Sequence, residues 1–232
     1  MKYRGQLNLV WELISKNLRE PSQNSRILLD KSLVDEKVIR FINQALGRED
    51  YEKNWINLKD KDVLTRIIIQ FIEKNFPIED LSEVLNWVQF EYLCMKIFEF
   101  NDFECKIHYC FRDAGKRFEI DILAYRNGLI LAADVKHWSA RQGKRSMLVK
   151  YAEKQDSRTG RLVQSEKFRQ DYNHIPVKSL IPLIITWYDE NIQFHERIPI
   201  IPVYKLNNFL NSFEQSDLKT YSIINSRVVD YG

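Results

Sequence analysis

Four side chains with catalytic chemistry crowd into residues 118–136: Glu119, Asp121, Asp134 and Lys136. Between them lies Asn127-Gly128, flanked by runs in which apolar and polar residues alternate. Such alternation marks half-buried strands, and Asn-Gly suits a two-residue type I′ hairpin loop. A two-residue loop fixes the pairing, setting Arg126 opposite Leu129, Asp121 opposite Asp134 and Glu119 opposite Lys136. Side chains alternate along strands, so these four groups are expected on one face. The other face reads Phe118, Ile120, Ile122, Ala124, Leu131, Ala133 and Val135, all apolar. Two carboxylates facing each other at ~5 Å repel by roughly 3 kcal/mol at an effective dielectric of about 20. A divalent cation reverses that sign, and Mg²⁺ or Mn²⁺ takes hard oxygen donors. The plainer alternatives are two solvated acids, or a bulge that shifts the register.

Glu91 is a second clue. A helix is expected over 79–98, with Val84, Trp87, Val88, Met95 and Phe98 along one stripe. Glu91 lies on that stripe, four residues after Trp87 and four before Met95. A buried carboxylate is costly unless it is paired or bound to metal. A salt bridge to an arginine or lysine is the alternative.

These groups need elements to hold them. Residues 1–78 read as helical, with Leu7, Val10, Trp11, Ile14 and Leu18 at helical spacing. Further helices are expected over 32–46, where Gly47 supplies the stop, and over 61–74, before Pro77. From 79 to 232 the character changes. Strands are expected over 103–111 and 117–137, a polar helix over 145–173, and buried strands over 183–187 and 198–203. A helix over 206–213 and a strand over 221–229 follow. That mixed order predicts an α/β layered domain behind an N-terminal helical region.

The net charge is only +3, but its distribution is uneven. Between Lys136 and Arg169 ten basic residues face three acidic ones, a stretch suited to a polyanion. Three cysteines, Cys94, Cys105 and Cys110, give neither an even count nor CxxC spacing, so a disulfide framework is not expected. That usage fits a reducing, cytoplasmic compartment. In a strand, His108 and Cys110 would point away from Cys105, which argues against a zinc site. No run of ~18 apolar residues marks a membrane span, and the first residues lack the apolar core of a signal peptide.

Glu91 on a helix, Glu119-Ile-Asp121 on a strand, and Asp134-Val-Lys136 across a short hairpin resemble the PD-(D/E)XK nuclease superfamily, the restriction-endonuclease-like fold. The phrases Phe118-Glu-Ile-Asp-Ile-Leu-Ala and Ala133-Asp-Val-Lys-His-Trp138 are similar to Mrr-like and archaeal Holliday-junction-resolvase-like members. The resemblance covers about residues 80–205. It departs at Ile120, where the family's name has proline, and the third acid is Asp134 where many members have Glu.

The resemblance implies an αβββαβ core and a nuclease that uses Mg²⁺ or Mn²⁺. Asp121, Asp134 and the carbonyl of Val135 would hold the ion, and Glu91 would hold a bound water or a second ion. Lys136 would orient or deprotonate the attacking water, or stabilise the phosphate. The pairing arithmetic adds Glu119 as a support for Lys136. Arg141, Lys144 and Arg145 are expected phosphate contacts, with Gln164 beside them. His137 is expected to pack into the core. Duplex or branched DNA is the expected partner, with RNA left open. A homodimer would supply two sites for two strands. The alternative is a module that keeps the fold and binds nucleic acid without turnover.

Overall fold

A computed structural model describes residues 2–19, 26–48, 54–74, 85–137, 145–196, 198–212 and 221. The chain divides into two compact units, Met1–Gln89 and Phe90–Gly232. No helix among the described residues is long and apolar enough to cross a membrane.

The first unit contains α1 (Lys2–Arg19), β1 (Arg26–Leu28), α2 (Glu36–Ala45), β2 (Trp55–Asn57) and α3 (Lys61–Glu73). The stripe expected on α1 is buried at Leu7, Val10, Trp11 and Ile14. Helix α2 starts later than expected. Asp35 caps it by accepting the Lys37 N–H, while Ser32 is tied into the preceding turn by Asp30. Asp60 caps α3 in the same way. The reading of 1–78 as all-helical is corrected by β1 and β2, which pair antiparallel from Arg26–Asn57 to Leu28–Trp55. Three residues are too few to display an alternation.

The unit boundary falls in α4 (Trp87–Phe100). Residues 79–84 of the expected helix lie outside the described residues. Asn86 and Gln89 cap α4 reciprocally, each side-chain oxygen accepting the other's backbone N–H. The buried stripe is Phe90, Glu91, Leu93, Cys94, Ile97 and Phe98, whereas Trp87 and Val88 are exposed. Glu91 therefore keeps its inward place on a stripe rotated from the expected one.

The second unit is α/β, a six-stranded mixed sheet flanked by helices. Its strands are β3 (Glu104–Asp113), β4 (Lys116–Arg126), β5 (Leu129–Lys136), β6 (Ser179–Thr186), β7 (Phe194–His195) and β8 (Ile198–Pro202). Their spatial order is β3-β4-β5-β6-β8-β7. The β3-β4-β5 neighbours are antiparallel, while β5-β6 and β6-β8 are parallel. The crossover from β5 to β6 carries α5 (Arg145–Gln164) and α6 (Glu166–Tyr172), separated at Ser165, which caps α6. Helix α7 (Val203–Ser212) follows β8. Strand β6 runs through Pro182, where the sequence suggested a boundary. The β8 ladder joins β6 only from Ile184 onward, so at Pro182 the strand has a partner on one side alone.

One face of the sheet packs under α5 and α6. Ile120, Leu123, Ile130, Ala132 and Leu180 meet Leu162, Phe168 and Tyr172 there. The other face meets α4, where Phe90 stands edge-on to Trp187 at 4.7 Å. The expected hairpin register holds from Arg126–Leu129 to Ile122–Ala133, around a loop with positive φ at Asn127 and Gly128. The expected alternation does not hold throughout. Ile120 and Leu123 share one cluster although they differ in parity, and on β3 both Lys106 and Tyr109 reach Asp171. The pleat therefore breaks on both strands at facing positions, His108 and Asp121. His108 has φ +50, a left-handed conformation unusual inside a strand. Phe118 and Ile120 consequently do not share the face expected for Ile122.

Candidate active site

The pleat break sets where the acids go. The β4–β5 ladder ends at Ile122–Ala133, so neither Asp121–Asp134 nor Glu119–Lys136 is a ladder pair. Asp121 instead turns its carboxylate to β5, and Oδ2 accepts the Val135 N–H at 2.8 Å. Asp134 and Lys136, two residues apart, face α5. The Lys136 Nζ lies 2.5 Å from Asp134 Oδ2, and Arg158 on α5 donates to Asp134 Oδ1 at 3.0 Å. The Lys136 ammonium also sits 4.8 Å from the centre of the Tyr151 ring. Both members of the pair are buried, Asp134 at 2% exposure and Lys136 at 9%.

Burial, and then the Asp134 carboxylate, push the Asp121 pKa up to about 6. Glu91 adds to the rise, while the Val135 N–H and Lys136 oppose it. Three carboxylates thus act on one another at the end of this ladder. Two of them come from the hairpin and the third from α4.

Glu91 is buried, with Oε2 at 3.5 Å from His108 Nε2. The other ring nitrogen of His108 is 3.3 Å from Glu119 Oε1, so this imidazole bridges two acids. Glu119 also accepts the Cys110 thiol at 3.2 Å. The expected role of Glu119 as a support for Lys136 is corrected here, because the strand break turns it toward β3. Among the described residues no three His, Cys, Asp or Glu side chains form a ready metal cage.

The remaining expected contacts are scattered. Arg141 and Lys144 lie outside the described residues. Arg145 opens α5 and is exposed. Gln164 closes α5 and is exposed, with its carbonyl accepting from Arg169 at 2.9 Å. His137 packs between Phe90 and Trp187, each ring 5.4 Å away.

Sequence reasoning missed three residues of α5: Tyr151, Gln155 and Arg158. Gln155 is fully buried, and its amide donates to the Ala132 carbonyl at 2.7 Å, pinning β5 beside the acids. Its Oε1 is buried without a partner among the described residues. The spacing 151, 155, 158 and 162 marks one helix face, and a glutamine and an arginine on a sheet-facing stripe were the available signal.

No family model matches the chain. A protein of Archaeoglobus fulgidus, described as uncharacterized, is 32% identical over 128 residues; the match covers 55% of this chain and 92% of that protein.

Proposed function

Since the chain belongs to one family with the Archaeoglobus fulgidus protein, and that kinship brings no activity with it, we propose from the site alone that the protein is a metal-dependent nuclease. It would hydrolyse phosphodiester bonds, with duplex or branched DNA as substrate, on a restriction-endonuclease-like core. The observation that carries this reading is the cluster of half-buried Asp121 with buried Asp134 and Lys136 at the open end of a hairpin, with the Asp121 pKa pushed up to about 6 by burial and by its acidic neighbours.

The donor set fits a hard divalent cation. It is all oxygen, and its mutual repulsion is the kind that an Mg²⁺ or Mn²⁺ ion relieves. Asp121, Asp134 and the Val135 carbonyl would hold the ion, with Glu91 reaching it through water. When bound, such an ion supplies Lewis acidity and offsets charge on phosphate oxygens. Lys136, steadied by Asp134, would orient the attacking water or stabilise charge on the phosphate. Arg158 brings a second cation to the same place. Gln155 keeps β5 in position. A homodimer would present two such sites to two strands.

One observation favours a second reading. Asp134 already meets two cations, and Glu91 already meets His108. A protein that kept this fold as a binding module without turnover would look the same. The test is a panel of labelled linear duplex, supercoiled plasmid, four-way junction, single-stranded DNA and RNA, incubated with Mg²⁺ or Mn²⁺ or with EDTA. Metal-dependent cleavage by the wild type, lost in Asp134→Ala and Lys136→Ala, is the expected result. Binding without cleavage of any substrate would establish the module instead.

A further inference from the structure

We infer that the tip of the β3–β4 hairpin, with α6, forms a second contact for the phosphate backbone of the nucleic acid; the choice of ligand rests on the nuclease reading. A cavity of about 580 Å³ opens there, bordered by Arg112, Arg117, Lys167, Glu166 and Gln170. None of Glu91, Asp121, Asp134 or Lys136 borders it.

Four observations point to an anion. Arg112 and Arg117 are direct ladder partners, which brings two cationic residues to facing positions on the rim of this cavity. Like charges so placed destabilise a strand pair unless something negative sits between them. Arg112 has no hydrogen bond or ion pair to any described residue, and Arg117 donates only to the Cys110 sulfur at 3.1 Å. The one acid on the rim, Glu166, is occupied by the Gln170 amide at 3.0 Å. Lys167 adds a third cation, shared with Asp171 at 3.1 Å.

Position argues for a backbone over a small phosphate ester. Arg117 and Asp121 are four residues apart on β4, a span of about 13 Å at 3.3 Å per residue. Four base-pair steps of a duplex cover a similar distance, at about 3.4 Å each. Contacts run without a gap between the two places, from Arg117 to Cys110, Glu119, His108 and Glu91. Arginine and lysine bind phosphates without reading bases, so the contact would position the strand and not select a sequence. None of these cations belongs to the basic stretch that follows the hairpin acids except Lys167.

The test is fluorescence anisotropy with a labelled duplex in EDTA, where no cleavage occurs, across a series of salt concentrations. The full chain is compared with Arg112→Gln/Arg117→Gln and with Lys178→Gln, an exposed lysine near the far end of the β4–β5 hairpin. Circular dichroism checks that each variant is folded. The double variant is expected to bind on the order of tenfold more weakly at 0.1 M salt, with the slope of log K against log salt reduced by about 2. Lys178→Gln should leave that slope unchanged. A folded double variant with the wild-type slope overturns the inference, as does equal loss in Lys178→Gln. Competition by millimolar inorganic phosphate or a mononucleotide as strong as that by DNA also overturns it, since the site would then serve a small anion. Cleavage plays no part in this readout, so failure of the nuclease reading would be seen separately in the metal panel.

Discussion

At Arg126 and Leu129 the β4–β5 ladder closes on groups that are well matched. Arg126 donates to the carbonyls of Asn101 at 2.8 Å and Leu210 at 3.2 Å, and its guanidinium lies 4.2 Å from the centre of the Phe103 ring. The Gly128 carbonyl accepts N–H groups from both Lys178 and Ser179. At the other end of the same ladder, past Ile122 and Ala133, the strands part and like charges gather. Asp121 is half-buried against Asp134, and Asp134 is buried between two cations. Backbone regularity is therefore spent on holding the hairpin at one end. The irregular end is where a ligand has something to gain by binding.

The sharpest way to break this contrast is to remove the chemistry at the open end. Lys136→Ala is expected to lower metal-dependent cleavage by about a thousandfold, or ~4 kcal/mol of transition-state stabilisation, in single-turnover assays. Cleavage within tenfold of wild type would mean that the open end of the ladder is not the active end.

Gly128→Ala probes the closed end. Gly128 has φ +87, and an added Cβ would meet the Pro176 carbonyl at 2.8 Å. Urea unfolding should show a loss of about 3 kcal/mol. Once corrected for the folded fraction, the cleavage rate should be nearly unchanged.

Asp121→Asn probes the open end as a source of strain. The folded pKa of Asp121 is raised to about 6 from an ordinary 3.8, so its contribution to stability is fully present below pH ~4 and is lost as pH rises through 6. The metal-free variant should thus be more stable than wild type at pH 8, by about 2 kcal/mol after allowance for partial exposure, and equal to it near pH 4. Mn²⁺ should raise the wild-type melting temperature and leave that of the variant in place. The same titration predicts that Mn²⁺ binding to the metal-free wild type weakens as pH drops through 6. Equal stability of the two proteins at both pH values would remove the strain from the comparison.

The smallest expected effect is that of Gln155→Leu. It leaves the Ala132 carbonyl without its side-chain donor and should cost about 1 kcal/mol in urea unfolding. Its fractional loss in cleavage should exceed that of Gly128→Ala, because Gln155 pins β5 next to the acids.

Much of this hairpin was legible in the chain. Asn127-Gly128 fixed the loop, and the loop fixed the register through five pairs. Glu91 was legible as an inward acid because its helix is apolar on that side. What period-two counting could not carry was the break at His108 and Asp121. Nothing in a run of alternating residues reports a positive φ at a histidine. That one break undid the expected pairing of Glu119 with Lys136 and turned Glu119 toward Cys110. Arg158 and Gln155 were hidden for another reason. Their partners, Asp134 and the Ala132 carbonyl, are more than twenty residues away, and only the crossover that stacks α5 on the sheet brings them together. In the first unit, β1 and β2 were too short to announce themselves.

The left-handed turn at His108 also bears on edge-to-edge pairing of β3 with another chain. Strand β3 is ten residues long and forms one margin of the sheet, where unpaired N–H and carbonyl groups could template another chain. A straight margin carrying the exposed Ile107 would invite that self-association. The bend at position 108 interrupts the margin midway, and the exposed charges of Glu104, Lys106 and Arg112 guard both halves. The opposite margin, β7, has two residues and offers almost nothing to copy.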